Sequence, residues 1–110
     1  AAAKIDKSNI SLAGQSNGAT AIYDILTRHP DKYVRAGIAG GGIMSGANIG
    51  NTSVRVVHGE FDFTFTASDV EQYVNAMSDS KITYRLIKGA DHDAWNYAYD
   101  HGFALWLIGK

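Results

Sequence analysis

Short apolar runs alternate along this chain with longer stretches in which apolar residues recur every three or four positions. The first run, Asn9 to Ala13, is a strand candidate bounded by Asp6-Lys7-Ser8 and by Gly14. After Ser16 the apolar residues Ala19, Ile22, Ile25 and Leu26 keep a helical period, and Pro30 closes the segment. Val34 to Ala39 predicts a second strand that ends in Gly40-Gly41-Gly42, and the small, polar residues 41–53 read as loop. Val54 to His58 predicts a third strand. A second helix follows, with Val70, Tyr73, Val74 and Met77 on one face and Ser68-Asp69-Val70-Glu71 as a capping box. Ile82 to Ile87 predicts the fourth strand. The last segment, Asp93 to Leu107, has Trp95, Ala98, Gly102, Phe103 and Trp106 at spacings of a buried helix face.

Strands separated by helical crossovers imply a parallel sheet with right-handed connections. The expectation is an α/β fold of four parallel strands with helices on both faces, its first strand at an edge. A length of 110 residues fits one domain, 1–110, with a single modest core. The formal net charge of −1, with no basic run, gives no pointer to nucleic acid or an anionic membrane. No apolar stretch approaches the roughly 18 residues that span a bilayer. The absence of cysteine excludes a disulfide framework, thiolate metal ligands and a cysteine nucleophile. Ala1-Ala2-Ala3-Lys4 is followed by no signal-type apolar core, so the compartment stays open between the cytoplasm and secretion after signal removal.

In a parallel sheet every strand delivers its following loop to the same edge, where ligands bind. Those loops carry Ser16, the Gly40 to Gly42 tract, Glu60 with Asp62, and Asp91-His92-Asp93. A serine, an acid and a histidine thus converge on one rim in the chain order of the α/β-hydrolase triad. The three types are needed together. A serine hydroxyl is a poor nucleophile until an imidazole takes its proton, and a carboxylate on the other ring nitrogen fixes the tautomer and stabilises the imidazolium. Gly14 and Gly18 flank Ser16 at two residues on each side and allow a strained strand-to-helix turn. The Asn17 N–H at the helix start can face a developing oxyanion, where one donor is worth about 3 kcal/mol.

Other readings compete at several of these positions. Glu60, Asp91 and Asp93 are alternative acids, and an acidic residue is most often a solvated charge. His58 ends a strand and reads as buried structure, while His29 and His101 read as surface or capping residues. A metal site from His92 with Asp91 and Asp93 is disfavoured, because adjacent residues rarely point at one ion. Trp95 and Trp106 read as core, although Trp95 can also line a substrate pocket. The glycine tract either turns the chain or offers a backbone N–H, from Gly41 at its centre, to substrate.

The segment IDKSNISLAGQSNGA resembles the nucleophile region of α/β-hydrolase esterases related to polyhydroxybutyrate depolymerases and feruloyl or acetylxylan esterases. VRVVHGEFDFTF is similar to their acid segment, and KGADHDAWNYAY to the histidine segment of a predicted-peptidase or carboxylesterase branch. The resemblance runs in order over essentially the whole chain. It implies Ser16 as nucleophile, Asp62 as acid, His92 as base and Asn17 as one oxyanion donor. Beside it, the position of Trp95 and Gly41 places them at the substrate, and no cofactor or metal is expected. In that family these segments form the carboxyl-terminal half of the fold, and the second oxyanion donor lies in the half that precedes them. Phe63-Thr64-Phe65 stands where the family commonly has proline and aliphatic residues. The chain therefore reads as a minimal or half α/β-hydrolase, expected to act as a carboxylesterase on a small-molecule ester through an acyl-serine intermediate. The alternative is a catalytically incomplete half-domain serving as an interaction or structural module. An edge strand at residues 9–14 would present unpaired backbone groups, so a homodimer pairing first strands is expected.

Overall fold

The computed structural model describes residues 6–42, 49–77 and 81–110. Four parallel strands form one sheet in chain order: β1 (Ser11–Gln15), β2 (Arg35–Ala39), β3 (Ser53–Gly59) and β4 (Ile82–Ile87). Helices α1 (Asn17–Arg28), α2 (Ala67–Ala76), α3 (Trp95–Ala98) and α4 (His101–Leu107) complete the order. β1 is an edge strand, as the sequence predicts.

The register explains why one face of the sheet became the core. Leu12, Ala36, Val54 and Ile82 are successive partners across the strands, and Ile38, Val56 and Tyr84 form the next row. Side chains on directly paired residues share a face. Both rows pack under α1 and α2, with Ala19, Ile22, Tyr23, Leu26, Val70 and Val74 above them. The buried stripe of α1 uses Tyr23 where the periodicity placed Ile25, which is only half-buried. The opposite face carries a smaller cluster of Val57, Ala94 and Ala98, with Ile87 and Tyr99 against it. Helices therefore cover both faces.

β2 and β3 shift by one residue at their ends, to Arg35–Ala39 and Ser53–Gly59, and three further boundaries differ from the sequence reading. β1 begins two residues later than predicted and reaches Gln15, because its ladder to β2 runs from the Val34 N–H to the Ile10 carbonyl through to the Ser16 N–H on the Ala39 carbonyl. α2 is capped by Thr66, whose hydroxyl accepts from the Asp69 N–H at 3.4 Å, rather than by Ser68. The final helix is two helices. Asp100 is extended and caps α4 by accepting from the Phe103 N–H at 2.8 Å, so α3 stops before it. Gly102 is accordingly exposed, while Ala98 and Phe103 are buried. Among the described residues no helix is long and apolar enough to cross a membrane.

Candidate active site

The β1–α1 junction is built for a tight reversal. Ser16 holds φ 54° and ψ −123°, a region that side chains rarely occupy. A Cβ on Gly14 would lie 2.8 Å from the Gly18 backbone, so strand and helix approach too closely for any larger residue there. Gly18 itself faces open space, and its contribution is the main chain that Gly14 meets. Ser16 is the N-cap of α1, yet its hydroxyl makes no capping bond. The Oγ lies instead 2.7 Å from Nε2 of His92.

His92 sits in the loop after β4, and its Nδ1 lies 2.8 Å from Oδ2 of Asp62. Asp62 follows β3 and is buried at 2% exposure. Its other oxygen accepts from the N–H groups of Thr64 and Phe65, both at 2.9 Å. Burial alone would push this carboxyl up. The His92 hydrogen bond, the Phe65 N–H and the nearby His58 and His92 imidazoles outweigh it and hold the group below its ordinary value. The loops that carry the acid and the histidine are tied to each other by the Phe61 N–H on the Ala90 carbonyl and the Glu60 N–H on the Ile87 carbonyl. Of the four acids near the rim, Asp62 is the one that meets His92, while Glu60 is exposed and accepts from the Gly89 N–H.

The remaining predicted residues fall around this line. Asn17 opens α1, where a first-turn N–H has no acceptor within the helix. The Trp95 ring meets His92 edge-on at 5.4 Å between centroids and is half-buried. In the glycine tract, the Gly40 N–H donates to the Val57 carbonyl and the Gly42 N–H to Thr20 Oγ1. Gly41 is buried under α1, where a Cβ would come within 2.7 Å of that of Ala19. Beside the site opens a cleft of about 270 Å³, lined among others by Thr20, Gly42, Phe65, Thr66, Val70 and Tyr73. Thr20 lies one helical turn from Ser16 and donates to its carbonyl, and the Phe65 ring stands 6.1 Å from that of His92. The cleft was not legible in the sequence, since its walls come from three separated segments.

His58 is buried, as the sequence reading has it, and it also lies against the acid. It is fully buried, with Nε2 2.5 Å from the Phe65 carbonyl and 3.3 Å from Asp62 Oδ2. Its spacing of four from Asp62 was the available signal, but outside a helix that spacing does not imply contact.

A line of serine, imidazole and buried carboxylate on the carboxyl-end rim of a parallel sheet decides the comparison. The fold is that of the α/β-hydrolases. A thermostable esterase superposes with a TM-score of 0.84 at 20% identity, over 94% of this chain and 31% of its own. The Bacillus cereus carboxylesterase gives 0.68 at 20% identity, over 79% of this chain and 43% of its own. An α/β serine hydrolase homologue from Coxiella burnetii gives 0.65 at 22% identity, over 91% and 46%. This chain thus spans less than half the length of these α/β-hydrolase structures. No protein-family model matches the chain, and no curated protein sequence does.

Proposed function

We propose that the chain is a serine hydrolase that cleaves short acyl esters. The observation that carries this reading is the continuous hydrogen-bonded line from Ser16 Oγ through His92 to Asp62. In this reading His92 takes the Ser16 proton as Oγ attacks the ester carbonyl, and the Asn17 N–H receives the oxyanion. The tetrahedral species collapses, His92 protonates the departing alcohol, and the acyl group stays on Ser16. Water activated by His92 then releases the acid. Asp62 stays ionised throughout and holds the Nδ1–H tautomer. The Gly41 N–H has no acceptor among the described residues and is the tract's candidate for a second donor. The acyl group lies in the Phe65–Val70–Tyr73 cleft, with Trp95 behind the imidazole.

The test is hydrolysis of p-nitrophenyl acetate, with fluorophosphonate labelling as an independent report of an activated serine. The native chain should turn over and label, and Ser16→Ala should do neither. Equal rates in the two proteins would overturn the reading. They would favour the non-catalytic half-domain, for which the short span against the solved structures is the supporting observation.

A further inference from the structure

His58 has an arrangement that packing alone does not explain. The imidazole is fully buried, with Nε2 hydrogen-bonded to the Phe65 carbonyl at 2.5 Å and 3.3 Å from Asp62 Oδ2. A carbonyl and an ionised carboxylate only accept, so Nε2 must carry the proton. The other nitrogen, Nδ1, is buried without a partner among the described residues. A proton there would leave an unsatisfied donor on a charged ring in the interior, a heavier penalty than a bare lone pair. The ring is therefore the neutral Nε2–H tautomer. Asp62 is the one ionisable group it touches among the described residues, with His92 beyond it on the same oxygen.

We propose that His58 is a positioning residue for the acid: its Nε2–H holds the Phe65 carbonyl, and with it the turn that grips Asp62, so that the carboxylate faces His92. Three donors then hold the carboxylate, the N–H groups of Thr64 and Phe65 on Oδ1 and the His92 imidazole on Oδ2, with His58 Nε2 3.3 Å from the same Oδ2. The contact to the Phe65 carbonyl closes the bracket, because the same peptide segment supplies the Phe65 N–H to Oδ1.

This rests on the Ser16–His92–Asp62 reading for its kinetic arm only. The structural arm is a ¹⁵N-resolved histidine spectrum of the native chain at about pH 7. His58 should show the Nε2–H tautomer. A His58 that carries its proton on Nδ1 overturns the proposal whether or not the chain hydrolyses anything. The kinetic arm compares His58→Gln, whose amide N–H reaches the Nε2 position, with His58→Phe, which keeps a ring and has no donor. With rates divided by the fraction of sites labelled by a fluorophosphonate, His58→Phe should lower kcat about tenfold with KM nearly unchanged, the worth of one hydrogen bond. His58→Gln should recover most of that loss. Equal kcat in the two variants means a purely structural histidine and overturns the proposal. Absent Ser16-dependent turnover would instead sink the hydrolase reading and leave the spectral arm standing.

Discussion

Ser16 gives its hydroxyl to a partner rather than to its own helix, and that choice shapes everything near it. An N-cap serine ordinarily satisfies a first-turn N–H. Here the Oγ is turned to His92, so the first-turn donors, Asn17 among them, stay available to an anion. Asp62 carries a testable pH signature. Its folded pKa lies below the ordinary 3.8, so folding favours the ionised form. The stabilisation is complete above pH 3.8 and is lost as pH falls through the lower folded value. Denaturation midpoints measured from about pH 5 to 2 should fall more steeply for the native chain than for Asp62→Asn. The same variant should lose roughly three to four orders of magnitude in turnover. Ser16, Asp62 and His92 were legible because they sit at strand ends in a telling order. The cradle around Asp62 was not, since two of its donors are main-chain N–H groups of Thr64 and Phe65 and carry no side-chain signature.

At the scale of elements, the strands could be read closely because apolar runs and ladders nearly coincide, and β4 falls on the predicted bounds. Helix edges were less legible. Asp100 can continue a helix or cap the next one, and only its bond to the Phe103 N–H settles the matter. The break is useful, because it lets the Tyr99 hydroxyl reach the Gly14 carbonyl just below the Ser16 turn, while burial pushes that phenol up to about 12. α1 holds a less satisfied phenol. Tyr23 is fully buried and its hydroxyl has no hydrogen-bond partner among the described residues. A buried, unpaired hydroxyl is a net loss, so Tyr23→Phe should stabilise by about 1 kcal/mol and raise the melting midpoint by roughly 4 °C. A fall in the midpoint would mean that the hydroxyl finds a partner in solution.

Across the whole molecule the two faces of the sheet differ. The α1 and α2 side is mostly apolar, whereas the α3 and α4 side carries Arg35, Arg55 and Arg85, with Arg55 stacked 4.2 Å over Trp106. Parallel sheets are usually covered on both faces by apolar packing. The sequence showed these arginines, but only the register placed them on one face. β1 and β4 are the two edges of the sheet, and Ser16 follows the first. Because Ser16 bonds to β2 through its N–H, residues of the opposite parity, Ala13 at their centre, direct their N–H groups outward. We propose that a second copy pairs there in a two-fold dimer. Sedimentation velocity should find a dimer at micromolar concentration and a monomer for Ala13→Pro, which removes an outward donor and leaves the β1–β2 ladder intact. A monomeric native chain would refute the pairing. The place of β1 has a further consequence for failure under stress. Ser16 hangs from β1, which is held to the sheet through β2 alone, while Asp62 and His92 follow β3 and β4 on loops bonded to each other. A fraying β1 thus separates Ser16 from His92. On the hydrolase and dimer proposals, turnover in mild denaturant should vanish while the far-ultraviolet dichroism stays native, and dilution that dissociates the dimer should bring that loss forward.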